Sequence, residues 1–227
     1  MNTNLPILLV AATPMELQLI QDELQDVVQE GKTYRGFLGD QEVVLIATGI
    51  GIVNTSFVLG GLLSTHKFQA AINLGIAGAY DESLQLGEVV EIQSDSFTDM
   101  GADSPDGFLN LERLGFPVYR SGEESHYHTL KNPYLSSEKV RKVSGATVNT
   151  VNGEREKIHL HKQSWDTQVE SMEGAAFFHA MLHTNTAFYA FRAISNYVRE
   201  RNTQDWDIPL AVKKAQLFVL NFVKEAL

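Results

Sequence analysis

The chain has 227 residues, 44% of them hydrophobic and 20% charged, enough for one large α/β domain with a real core. Its 18 Lys and Arg against 28 Asp and Glu leave a formal net charge of −10, which speaks against a surface for nucleic acid or anionic membrane, since both reward clustered cations. It has no cysteine, so disulfides, thiolate nucleophiles and cysteine-based metal sites are excluded.

The chain opens on "MNTNLPILLVAATPMELQ". Without a basic n-region, and with Pro14 and Glu16 breaking the apolar run, this reads as a first strand and not as a signal peptide. No apolar run approaches the roughly 20 residues of a membrane span. A soluble, cytoplasmic protein is expected. Residues 6–13 are predicted as a strand buried on both faces. Residues 14–28 space their apolar side chains as a helix would, and Pro14 suits its first turn. Residues 42–49 read as a strand and 50–66 as a helix. "AAINLGIAGAY" (70–80) reads as a strand running into a glycine turn. Residues 87–97 form a further strand, and 99–135, rich in Gly, Pro, Ser and Asp, a loop. Residues 145–151 are strand-like, 172–184 helical, 187–195 a strand, and 209–227 an amphipathic closing helix. No linker divides the chain, so residues 1–227 are expected to form a single domain. The alternation of elements implies an α/β fold, with a central mixed, largely parallel twisted sheet flanked by helices.

In such folds ligands sit at the carboxyl ends of the strands. The residues there are Glu16, Gly49 to Gly51, Gly75 to Gly78, Glu173 and Asn196. "ATGIGIVN" has Asn54 where a dinucleotide fingerprint needs a third glycine, so no such cofactor is expected. Backbone N–H groups in "NLGIAGAY" could hold a ligand oxygen, or the stretch is a tight structural turn. The histidines come in pairs at 126/128, 159/161 and 179/183; the last is i, i+4 on a helix but lacks the Glu of a zinc-protease motif between its members, and no metal site is expected. There is no nucleophile elbow and no Walker-type phosphate loop. Glu170 and Glu173 flank Met172 at the front of a helix, a place that suits carboxylates for dipole reasons alone. Asn196 ends an apolar run; it is either a turn residue or an amide that meets a ligand offering both donors and acceptors.

Taken in order, "LLVAATPMEL", "ATGIGIVN", "NLGIAGAY", "GEVVEI", "QVESMEGAAF" and "FRAISNYV" resemble the nucleoside phosphorylase/nucleosidase family, which includes methylthioadenosine/S-adenosylhomocysteine nucleosidase. The resemblance covers nearly the whole chain. It is strongest to a branch acting on a 5′-modified inosine, through "SFTDMGAD", "GFLNLERLGFP" and "RAISNYVRERNTQDWDIPLAV". The resemblance implies that Glu16 is the carboxylate that activates the attacking water. Glu173 would accept hydrogen bonds from the sugar hydroxyls, with Met172 packed on the sugar. Gly75, Ile76, Ala77 and Gly78 would form a turn near sugar and water, and main-chain groups at Val151 would meet the purine. Asn196 occupies the base-binding position, which is Asp in adenine-specific members.

A 6-oxopurine offers acceptors at O6 and N7. An amide N–H₂ donates there, whereas a carboxylate repels O6. A buried mismatch of this kind costs about 1–3 kcal/mol. Asn196 therefore implies hypoxanthine as the leaving base. Ile76 and Thr150 depart from the methylthioadenosine members, which have Ser and an aromatic residue there. No Arg stands in the glycine segments where phosphorylases hold phosphate, so water is the expected nucleophile. The expected partners are a small nucleoside and further copies of the chain, a homodimer or larger, and no cofactor is expected. The rival readings are methylthioadenosine/S-adenosylhomocysteine nucleosidase, a phosphate-dependent purine nucleoside phosphorylase, and a non-catalytic nucleoside-binding protein.

Overall fold

The computed structural model describes residues 5–226; Met1–Asn4 and Leu227, the ends of the expected domain and of its closing helix, lie outside the described residues. Strand β1 (Ile7–Ala11) is buried throughout. Leu8 and Val10 join one core, and Ile7, Leu9 and Ala11 the other. A strand with two covered faces has no position for a polar residue, which is why it reads as one apolar run.

The helix expected over 14–28 is shorter. Pro14–Glu16 is a 3-10 turn and α1 spans Gln18–Asp22. The chain then turns to β2 (Gln25–Glu30), which pairs antiparallel with β3 (Thr33–Leu38). Val27 and Val28 are exposed on this edge hairpin, not buried on a helix. Two glycines decide the matter. Gly31 closes the turn at φ +61, and a Cβ on Gly36 would lie 2.8 Å from the Gln25 carbonyl.

β4 (Gln41–Ala47), α2 (Ile52–Thr65), β5 (Ala70–Ala79) and β6 (Val89–Phe97) follow. The segment 99–135 is more than a loop. It holds the hairpin β7 (Gly101–Ser104)/β8 (Gly107–Asn110), the short α3 (Leu111–Leu114), the hairpin β9 (Tyr119–Ser121)/β10 (Glu124–His126), and β11 (Thr129–Lys131) paired with β6. Strands of three or four residues are too short to leave a periodic signal. β12 (Arg141–Thr147) ends before Val151, which lies in a loop. α4 (Arg155–Ser164) buries only Ile158 and His161, too few to mark a stripe. β13 (Val169–Ser171), α5 (Gly174–Thr184), β14 (Phe188–Tyr197) and α6 (Ile208–Ala226) complete the chain.

The main sheet runs β11-β6-β12-β13-β5-β1-β4-β3-β2. β14 pairs with both β5 and β6, so β6, β12, β13, β5 and β14 close into a ring. The β4-β1-β5-β14 pairings are parallel, while β2-β3-β4 and β11 are attached antiparallel. α2 and α5 cover one core, and α1 and α6 the other.

Candidate active site

A cavity of about 300 Å³ opens at the carboxyl ends of β1, β5, β13 and β14, beside Val151 and Asn152 of the loop after β12. Of the residues named from sequence, Glu16, Ile76, Ala77, Gly78, Val151, Met172, Glu173 and Asn196 all line it. Gly75 lies just behind the wall, and Thr150 faces a neighbouring groove.

Glu16 is buried at the end of the 3-10 turn that follows β1. Its Oε2 accepts from the Thr13 N–H at 2.9 Å and the Thr13 hydroxyl at 2.8 Å. Oε1 accepts nothing from the described residues. A Cβ on Gly75 would sit 3.0 Å from this oxygen. The expected glycine turn at 75–78 is therefore replaced by continuous strand: β5 runs through it to Ala79. These glycines supply clearance, not a bend, because Glu16 and the β14 side chains cross directly over the strand. A Cβ on Gly78 would lie 3.0 Å from Val198 and 3.1 Å from Asn196 Nδ2.

Glu173 stands at the N-cap position of α5 without a side-chain bond to the helix, and its Oε1 accepts from the Gly51 N–H at 2.9 Å instead. The Gly49–Gly51 turn, with both glycines at φ +91, brings main chain against a protein carboxylate. Burial raises the Glu173 pKa above the ordinary carboxylate value. The Gly51 N–H and the Arg192 charge oppose this, while the Glu16 charge adds to it.

Asn196 lies within β14 rather than in a turn after it. The strand bulges between Ile194 and Asn196, so Asn196 pairs with Gly78; one extra residue re-aims the side chains that follow. The Ser195 hydroxyl donates to Asn196 Oδ1 at 2.7 Å, and Nδ2 donates to the Tyr197 carbonyl at 3.2 Å. A carbonyl only accepts, so the amide orientation is set. The second Nδ2 hydrogen has no partner among the described residues.

Several contributors escape a reading of the sequence. Arg192, 2% exposed, donates to the Phe191 carbonyl at 3.0 Å and to Asn73 Oδ1. Its only signal in the sequence is a charge inside the apolar run "AFRAIS". Asp95 is fully buried, held by the Thr147 hydroxyl at 2.7 Å, its pKa pushed up to about 7 by burial. A Cβ on Gly174 would fall 1.9 Å from Asp95 Oδ2, which is why glycine follows Glu173. Met15, Ile50, Trp206, Ile208 and Val212 make the rest of the lining largely apolar.

The histidines serve elsewhere. His161 stacks on Tyr80, and His179 and His183 meet at 3.1 Å. Among the described residues no group of three or more His, Asp or Glu is placed to hold a metal ion.

Residues 6–224 match the family described as the phosphorylase superfamily. The chain is 32% identical over 179 residues to a futalosine hydrolase of Thermus thermophilus, covering 76% of this chain and 77% of that protein. It is 27% identical over 175 residues to a futalosine hydrolase of Acidothermus cellulolyticus, covering 76% and 71%. The crystal structure of S-adenosylhomocysteine nucleosidase from Streptococcus pyogenes, in complex with 5-methylthiotubericidin, superposes with a TM-score of 0.81 at 22% identity, over 100% of this chain and 99% of that one.

Proposed function

The chain belongs to the phosphorylase superfamily, and from that premise we propose that it hydrolyses the N-glycosidic bond of futalosine. The products are hypoxanthine and dehypoxanthine futalosine, a step of the alternative menaquinone pathway. The observation that carries the reading is the Asn196 amide, held with a donor hydrogen unspent, in one cavity with Glu16 and Glu173.

Breaking the N9–C1′ bond builds positive charge on the ribose, as in glycoside hydrolysis. Glu173 accepts from the sugar hydroxyls and offsets that charge. The free Oε1 of Glu16 takes a proton from the attacking water. The Thr13 pair fixes that carboxylate, and the clearance over Gly75 leaves it room. The amide hydrogen of Asn196 stabilises charge on the departing 6-oxopurine. Asn is no general acid, so the leaving base takes its proton from solvent. Met172 packs on the sugar, and Val151 presents main chain to the base. Arg192 directs two of its five N–H donors to Phe191 and Asn73, and among the described residues no Lys or Arg lines the cavity to hold a phosphate.

The test is base release from futalosine, inosine and methylthioadenosine, each with and without phosphate. Phosphate-independent hypoxanthine release from futalosine is the expected result. Phosphate-dependent release from inosine would assign the chain to the phosphorylases, adenine from methylthioadenosine to the adenine nucleosidases, and binding without release to a carrier role.

The same reading makes the enzyme a homo-oligomer. Met15 and Ile50 at the cavity rim are each 57% exposed, and Val53 and Phe57, one turn apart on α2, are 76% and 82% exposed. A run of apolar side chains beside a site is the kind of surface a partner covers, and here the occupant is a second copy. Sedimentation is expected to give a dimer or larger for the native chain and a lighter species for Phe57→Glu; a native monomer would refute this. A cytoplasmic location belongs to the same reading, since a chain without cysteine needs no oxidising compartment.

A further inference from the structure

Glu170 lines the cavity, yet its carboxylate is taken up by donors of this chain. It lies on β13 opposite Gly78 and is buried. Oε1 accepts from the Asn152 main-chain N–H at 2.9 Å. Oε2 accepts from the Tyr80 hydroxyl and from Asn152 Nδ2. Nδ2 also lies 2.8 Å from the Tyr80 oxygen. Tyr80 is braced in turn: it stacks on His161 with ring centroids 4.3 Å apart, and His161 Nε2 is 2.8 Å from Thr167 Oγ1.

A carboxylate only accepts, so the nitrogen of the Asn152 amide, not its oxygen, faces Glu170. The main-chain and side-chain donors of Asn152 are thereby engaged, while Oδ1 has no partner among the described residues. Asn152 lines the same cavity as Val151 and Asn196. The two amides of the cavity are thus held in opposite senses: Asn196 keeps a donor free, and Asn152 keeps an acceptor free.

We propose that Glu170 is a positioning residue for base selection, fixing Asn152 so that its carbonyl oxygen accepts from N1–H of a 6-oxopurine. This deepens the futalosine reading and rests on it. A 6-aminopurine has a bare N1 at that edge, and two facing acceptors repel. Asn196 serves the O6 and N7 edge and Asn152 the N1 edge, so a hypoxanthine ring meets a complementary group on each side. Asn196 alone answers for only one of these edges.

Glu170→Gln supplies the test. Its Oε1 stays on the fixed Asn152 N–H, so its amide nitrogen faces the Asn152 side chain. That side chain must turn over to accept, and it then shows a donor to the cavity. The readout is the ratio of kcat/KM for futalosine to kcat/KM for the same nucleoside with a 6-amino group. The ratio is expected to fall about tenfold to a hundredfold, the scale of one mismatched buried hydrogen bond. Asn152→Ala, at a half-buried position, is expected to lower the ratio as well, and it keeps the idea testable if Glu170→Gln does not fold. The double variant is expected to add little to either single, because the two act as one unit.

An unchanged ratio in folded Asn152→Ala overturns the proposal. So does an equal loss on both substrates in Glu170→Gln, which would reduce Glu170 to a support of the loop. If the native chain releases no hypoxanthine from futalosine, the functional reading fails instead. Base selection is then read from calorimetric affinities for free hypoxanthine and adenine, where the same preference, and its loss in the variants, is expected. Equal affinities of the native chain for the two bases would overturn it.

Discussion

Glu16→Gln is expected to lose turnover by a factor of about 10² to 10⁴, the usual contribution of a general base, while KM changes little. The expectation follows from how the carboxylate is held. Both Thr13 donors converge on Oε2, so the glutamine places its carbonyl oxygen there and keeps the side chain where it was. Its amide nitrogen then occupies the position of Oε1. That nitrogen donates and cannot accept the proton of the attacking water. Volume and position are preserved and the base alone is removed. The variant also takes away the Glu16 charge that helps raise the Glu173 pKa, so no folding defect is expected from a new buried charge. Steady-state kinetics on futalosine, together with a thermal melt, checks the result. Near-native kcat would remove Glu16 from the mechanism, and loss of binding with kcat retained would make it a substrate contact only.

Asn196→Asp is expected to reverse the base preference. The carboxylate keeps the Ser195 hydroxyl bond at one oxygen. Its other oxygen falls where Nδ2 now donates to the Tyr197 carbonyl. Two acceptors then face each other in a nearly dry place, which favours the protonated acid. As a carboxylate the new side chain repels O6; as an acid it can donate to N7 of an adenine. Hypoxanthine release should fall by about tenfold to a hundredfold, and adenine release from 6-amino nucleosides should appear and strengthen toward low pH. Initial rates on paired 6-oxo and 6-amino substrates across pH 5 to 8 decide the matter. An unchanged preference would mean that Asn196 does not read the base, and would shift that role to the Val151–Asn152 loop.

The site was legible in the sequence where its chemistry follows an apolar run. Glu16 and Asn196 stand at the ends of such runs, and Glu173 opens a helix, so position and residue type together pointed to one sheet edge. The roles of the glycines were not legible. Gly75 and Gly78 look the same in sequence whether they turn the chain or clear space above a strand, and only the neighbours at Glu16, Val198 and Asn196 distinguish the two. Arg192 is not legible either, because a charge in the middle of a buried strand is costly unless held, and what holds it, Asn73, lies 119 residues away in sequence. The helix expected over 14–28 exceeds α1 because residues 24–28 carry apolar side chains at helical spacing, while β3 pairs with this segment as a strand.

The alternating α/β order, the strands buried on both faces, and most of the residues that line the cavity can be read from the sequence. Those features depend on neighbours within one element, where burial dictates composition. Tertiary structure decided the rest. Insertion of β14 between β5 and β6 closes the ring, and the bulge after Ile194 brings Asn196 opposite Gly78. Burial of Asp95 against Gly174 leaves no room for a side chain at position 174, and Glu170 fixes the amide of Asn152 from 18 residues away. Each is a contact between distant segments, and hydrogen-bond direction and steric clearance exist only once those segments are packed together.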